Sequence, residues 1–174
     1  MRKNGHRIIA LALFVVASAA QAQAPHGEAQ LAGSERLAAK GCGRSGAPLT
    51  LDFAIEPLVC IATILPCPDD GAWTLSGAAA PLSGLSHGGP RGARLSLDAQ
   101  SLAALESALE AKAAEQCGEA VDLTSFTAKG ALVLSKRRER ARLFVKAKAR
   151  IAGESGRAIY RVRGRGAWVP VTSQ

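Results

Sequence analysis

Two alternating segments near the C-terminus constrain the fold more than any other feature. Residues Arg140 to Ala152 and Arg157 to Val169 place small apolar side chains on one face and Lys or Arg on the other. They flank a Gly-Glu-Ser-Gly turn at 153–156, so the pattern predicts a long antiparallel hairpin. If the hairpin closes on that turn, the residues of the two apolar faces lie opposite each other along its whole length. The predicted pairs are Ile151 with Ala158, Ala149 with Tyr160, Ala147 with Val162, Val145 with Gly164 and Ala141 with Trp168.

The opposite face of this hairpin places cations against cations. The predicted register sets Lys148 opposite Arg161, and it sets Lys146 opposite Arg163. Directly opposed like charges destabilise a sheet, so another interaction must offset their repulsion. A bound anion would do so, whereas on a solvated face the long side chains would splay apart and cover the sheet.

A third strand is predicted before the hairpin, because apolar residues alternate from Ala128 to Leu134. Pairing across the turn at 136–139 sets Leu132 opposite Leu143. The same pairing sets Lys129 opposite Lys146 and lengthens the row of cations. We therefore predict an anion-binding basic face on the sheet. Its residues are Lys129, Lys146, Lys148, Arg161 and Arg163.

Charge is distributed unevenly along the chain. The formal net charge is +8, but residues Lys129 to Arg165 carry thirteen Lys or Arg against two acidic residues, a net of +11. Such polarity can steer an anionic partner toward one part of the molecule. Few aromatic residues lie among these cations, which disfavours nucleic acid as the partner. We expect an anionic envelope lipid or an acidic protein instead.

The N-terminus has the layout of a secretory signal peptide. Basic residues precede the apolar run from Ile8 to Ala17, and Ala20-Gln21-Ala22 fits a cleavage site. We expect residues 1–22 to be removed and the mature protein to be periplasmic or secreted. The apolar run is shorter than the roughly 20 residues that a membrane-spanning helix needs, so no spanning segment is expected.

Four cysteines follow the predicted cleavage site. In an oxidising compartment an even number of cysteines indicates disulfides, and four cysteines allow three pairings. The sequence does not choose among these pairings. No CxxC spacing occurs, which disfavours a structural metal site. The predicted disulfide cysteines are Cys42, Cys60, Cys67 and Cys117.

One principal helix is predicted at about 98–117, where Asp98 can cap its start and Gly118 can end it. Alternating residues at 51–56 predict a strand, and the run at 78–94 is rich in Gly, Pro and Ser and predicts an exposed loop. Together these patterns predict an α+β fold. An antiparallel sheet of about four to six strands, with long C-terminal hairpins, would be packed by the helix.

The predicted organisation of the chain has three parts. Residues 1–22 form the signal peptide, residues 23–48 a loosely ordered N-terminal arm, and residues 49–174 a single α+β domain. The arm is expected because its residues are mostly Ala, Gly, Ser and charged types.

No residue pattern indicates catalysis, a cofactor or a metal. After the signal peptide only His26 and His87 remain as imidazoles, and neither lies in a nucleophile, metal or phosphate-loop motif. We therefore expect a non-enzymatic binding protein. The alternative is a periplasmic carrier that holds a small apolar ligand between sheet and helix, beside Tyr160 and Trp168. The sequence leaves the oligomeric state open.

Overall fold

Each of the first eight strands pairs with its neighbours in sequence among those eight, and the first strand also pairs with the eighth. In the computed structural model, which describes residues 25–58, 71–89, 91–153 and 156–171, every strand pair is antiparallel. The sheet therefore closes into an eight-stranded up-and-down barrel. The strands are β1 (Gly27–Ala39), β2 (Gly43–Pro57), β3 (Gly71–Ser76), β4 (Leu82–Gly89), β5 (Gly92–Leu97), β6 (Leu123–Leu134), β7 (Arg140–Ile151), β8 (Arg157–Ala167) and a short β9 (Val169–Pro170) beside the start of β1.

The predicted α+β fold is wrong, because the sheet is a closed barrel rather than an open sheet of four to six strands packed by a helix. The main reason is β1, which lies where a loosely ordered arm is expected at 23–48. Its inward positions are mostly Gly and Ala, together with Glu35, and its only large apolar side chains there are Leu31 and Leu37, so it lacks the run of large apolar side chains that marks a buried strand. Residues 1–22, predicted as a signal peptide, lie outside the described part of the chain.

A second hairpin lies where the sequence predicts an exposed loop. All of β4 lies within 78–94, and it pairs with β5 in register from Gly84 opposite Leu97 to Gly89 opposite Gly92. After Leu82, the inward positions of β4 hold glycine and serine, including Ser86, whose hydroxyl is fully buried and accepts a hydrogen bond from the Gly71 amide at 3.1 Å. Small inward residues thus hide this strand from a pattern based on hydrophobicity.

The inward faces of the strands fill the barrel with side chains. Trp73, Leu51 and Val162 have no exposed surface, and Phe53 is 2 % exposed. At Gly164 of β8, an added Cβ would lie 2.9 Å from the Leu31 Cβ, so glycine allows β1 to close against β8. Eight strands enclose a space that side chains can fill, and here they do so.

The helix α1 (Ala99–Cys117) joins β5 to β6, in agreement with the predicted bounds of about 98–117. Asp98 accepts a hydrogen bond from the Ser101 amide at 2.7 Å, and Gly118 ends the helix with φ of 75°. The helix contacts β1, β2, β4 and β6, and it buries Leu105 and Leu109. It lies across the end of the barrel where β1 ends and β2 begins. No helix in the described ranges is long and apolar enough to cross a membrane.

A disulfide ties the helix to this end of the barrel. Cys42, in the turn between β1 and β2, is bonded to Cys117 at the last turn of α1, 75 residues later. The Gln116 amide also donates to the Cys42 carbonyl at 3.1 Å. Cys60 and Cys67, which were predicted to take part in disulfides as well, lie outside the described residues.

Candidate functional site

The hairpin of β7 and β8 forms, but its register differs from the predicted one by two residues. Ala149 lies opposite Ala158 rather than Tyr160, and Lys146 lies opposite Arg161 rather than Arg163. The amide of Ile151 donates to the Gly156 carbonyl, so the turn begins at Ala152, which the prediction assigned to the first strand of the hairpin. A shift of two keeps every side chain on its predicted face, because side chains alternate with a period of two.

The register between β6 and β7 is confirmed. Leu132 lies opposite Leu143, and Lys129 lies opposite Lys146. The row of cations therefore continues from β7 into β6 as the sequence predicts, while its β8 member changes from Arg163 to Arg161.

Four cations lie in one line across four adjacent strands. Lys129 of β6 opposes Lys146 of β7, which opposes Arg161 of β8, which in turn opposes Arg36 of β1. We call these four residues the cationic row. At a strand spacing of about 4.8 Å, the row is about 14 Å wide. Among the described residues, no carboxylate forms an ion pair with a member of the row.

The remaining predicted site residues flank the cationic row. Lys148 lies one row to one side, opposite Ile159, and Arg163 lies one row to the other side, opposite Phe144. Two further pairs of cations, Arg142 with Arg165 and Arg150 with Arg157, face each other in the same hairpin. Strands β6, β7 and β8 contain no Asp or Glu, so the outward face of these three strands has no acidic residue of its own.

Lys146 has the most crowded charge environment of the row. Its pKa is lowered from the ordinary lysine value, chiefly by Lys148 and then by desolvation, Arg161 and Lys129. Each of the neighbouring cations favours the uncharged amine because it repels the ammonium form. A negatively charged ligand at this position would reverse that effect.

Exposed apolar side chains lie among the cations. Phe144 is 41 % exposed and lies between Ala131 and Arg163, and Val133 is 47 % exposed and opposes Arg142. Both apolar side chains therefore lie within two outward-facing rows of the cationic row, so this face of the sheet is cationic and apolar at once. A surface of this composition can contact charged groups and apolar groups of the same partner.

Arg36 is the member of the row that the sequence analysis missed. It lies on β1, within the segment that was predicted to be a loosely ordered arm, and so its pairing with Arg161 could not be derived. The alternation of Glu35, Arg36 and Leu37 carries a weak signal for a strand with Arg36 facing outward.

The two residues proposed for an apolar ligand lie far apart. Tyr160 is buried near the helix, where it lines a small pocket of about 360 Å³ with Glu35 and Lys112. Trp168 is buried near the start of β1, with its ring centroid 6.4 Å from that of Phe53. The structure does not bring these residues into one cavity in the described part of the barrel.

No group of three or more His, Cys, Asp or Glu side chains that could hold a metal ion occurs in the described ranges. Comparison with protein-family models, with curated proteins and with solved structures gives no match, so the function is inferred from geometry and charge.

Proposed function

We propose that this is an exported, non-enzymatic protein that binds an anionic lipid surface through the outer face of β6, β7, β8 and β1. The observation that carries the proposal is the cationic row, in which Lys129, Lys146, Arg161 and Arg36 oppose one another directly. Three successive like-charged pairs disfavour the unbound sheet. Phosphate groups bound between them remove this repulsion and accept charge-assisted hydrogen bonds from the two guanidinium groups.

A lipid surface fits this face better than an acidic protein because of how the cations are spread. They occupy several rows on four strands, which suits many separate headgroups. Exposed Phe144 and Val133 add apolar contacts at the level of the headgroups, and cations near an anionic bilayer each strengthen binding by about fivefold. Export is inferred from the signal-like N-terminus.

The test is binding of the purified mature protein to vesicles of phosphatidylglycerol and phosphatidylcholine, compared with vesicles of phosphatidylcholine alone, over a range of salt concentrations. We expect binding to the anionic vesicles alone, with an affinity that falls steeply as salt rises. Arg161→Glu removes one cation from the row and adds an anion, so we expect about 25-fold weaker binding.

Arg91→Glu is the matched control, because it makes the same change of charge in the turn between β4 and β5, away from the cationic row. We expect it to change vesicle affinity by less than about threefold. Equal weakening by both variants would show that net charge alone drives binding and would contradict the proposal. Absence of binding to either kind of vesicle would contradict it too, and would favour an acidic protein as the partner.

The carrier of an apolar ligand remains the rival hypothesis. It predicts that Tyr160→Ala or Trp168→Ala abolishes ligand binding while Arg161→Glu does not. The filled interior and the separation of the two aromatic residues give it less support.

A further inference from the structure

A groove of about 840 Å³ crosses the outer face of β1 to β4 and ends beside the first turns of the helix. Its walls are two rows of outward side chains, with Glu28 and Thr74 in one row and Gln30, Asp52 and Ser76 in the other. The row between them points into the barrel, so the floor is largely backbone. The groove lies about 20 Å along β1 from Arg36.

Two carboxylates face each other across one end of this groove. Glu28 opposes Ala54 and Asp52 opposes Gln30, which makes the two acids diagonal neighbours with Cα atoms about 7–8 Å apart. The Gln30 amide donates to Asp52 Oδ1 at 3.3 Å and leaves the second oxygen available. No Lys or Arg lines the groove, and neither carboxylate has a cationic partner within the described ranges.

The other end of the groove is uncharged, with polar side chains lying beside Pro81, Leu82 and Ala104. Thr74, Ser76 and Gln100 have exposed side chains that make no hydrogen bond to any described residue. Hydroxyl and amide groups of this kind pair with the hydroxyl groups of a ligand. Across four strands, the groove is about 14 Å long, which favours an elongated ligand.

We propose that this groove binds an elongated, hydroxylated organic cation, of which a short oligomer of glucosamine is representative. An ammonium group lies between Glu28 and Asp52, where it contacts both carboxylates. The hydroxyl groups of the ligand pair with Thr74, Ser76 and Gln100. This site is separate from the cationic row and requires no lipid.

Calorimetric titration of the full mature protein with the trimer of glucosamine tests the proposal, with the trimer of N-acetylglucosamine as an uncharged control of similar shape. We expect the glucosamine trimer to bind at least tenfold more tightly than the acetylated one. Glu28→Gln combined with Asp52→Asn should weaken binding of the glucosamine trimer at least tenfold and leave vesicle binding unchanged. Both side chains are exposed, so the fold should persist, and circular dichroism checks this.

Glu56→Gln is the matched control, because Glu56 is exposed on β2 but does not line the groove. It should change the affinity less than threefold. Equal affinity for both trimers, equal weakening by the control variant, or no binding of the glucosamine trimer at millimolar concentration would each overturn the proposal.

Discussion

Tyr160 donates a hydrogen bond to Glu35 inside the barrel, with its hydroxyl oxygen 2.9 Å from Glu35 Oε2. The same hydroxyl accepts a hydrogen bond from the Ala79 amide at 3.2 Å, in the turn between β3 and β4. The other oxygen of Glu35 pairs with Lys112 of the helix. The buried Tyr160 and the partly buried Glu35 therefore connect β1, β8, a turn and the helix at one end of the barrel. Burial, with a further contribution from Glu35, raises the pKa of Tyr160 and keeps its hydroxyl protonated.

We predict that Tyr160→Phe lowers the free energy of unfolding by about 1–3 kcal/mol, because it leaves a buried carboxylate oxygen and the Ala79 amide without their partner. Urea unfolding measures the loss. Glu35→Leu and the double variant complete a cycle in which the coupling between the two side chains should exceed about 0.5 kcal/mol. If the two losses simply add, the hydrogen bond has no energetic importance.

We predict that replacing Cys42 and Cys117 with serine destabilises the protein by about 4.5 kcal/mol, the loop-closure value for a cross-link that spans 75 residues. The double variant is compared with the wild type in urea without reductant, so that Cys60 and Cys67 stay in the same state in both proteins. A loss below about 1 kcal/mol would show that the other contacts of the helix hold it in place without the bond.

The cap of the helix should give the protein an acid-sensitive stability. Hydrogen bonding, first to Ser83 and then to the Ser101 amide, lowers the pKa of Asp98. Its carboxylate therefore contributes stability above the unfolded pKa of 3.8, and this contribution is lost as the pH falls through the lower folded value.

Asp98→Ala should cost about 1 kcal/mol at pH 7. Asp98→Asn keeps a capping oxygen but removes the charge, so the advantage of the wild type over this variant should shrink as the pH falls below 3.8. Chemical unfolding of the three proteins at pH 7 and at pH 3 gives the comparison. An advantage over Asp98→Asn that is the same at both pH values would contradict the prediction.

Multivalent anions should stabilise the protein more than chloride does. Tripolyphosphate bound to the cationic row at a concentration one hundred times its dissociation constant stabilises the folded state by about 2.7 kcal/mol. For a domain of this size, that corresponds to a rise in Tm of roughly 5–10 °C. Thermal unfolding in tripolyphosphate and in sodium chloride of equal ionic strength measures the difference. The Arg36→Glu and Arg161→Glu double variant should not show this extra stabilisation by tripolyphosphate. If it is stabilised as much as the wild type, the anion binds elsewhere.

The sequence predicted the strands that carry alternating large and small apolar residues and missed those that do not. The hairpin of β7 and β8 and the helix were found, because Leu, Val and Ile mark their buried faces. On the inward faces of β1 and β4, Gly, Ala and Ser outnumber the few leucines, and these small residues also occur in loops. Closure of the sheet depends on β1, so missing that strand also meant missing the barrel.

Part of the candidate site could be predicted from the alternation of side chains along the strands. The outward direction of Lys146 and Arg161 follows from alternation, which a register shift of two leaves intact. Which cations face each other depends on how the turn closes, and the length of a loop does not fix that uniquely. Arg36 joins the row only through the pairing of β1 with β8, a contact between distant parts of the chain.

The pairing of Leu31 with Gly166 joins β1 to β8, and it therefore constrains the order in which the strands can pair during folding. The other neighbouring strands can meet soon after they are formed, whereas β1 must wait for β8 before the barrel closes. Until then both strands present unpaired edges to other chains. Sheets dominated by contacts of such high sequence separation fold in milliseconds to seconds. The final step of folding is therefore expected to be the slow one, and the open-edged intermediate is the species most prone to aggregation.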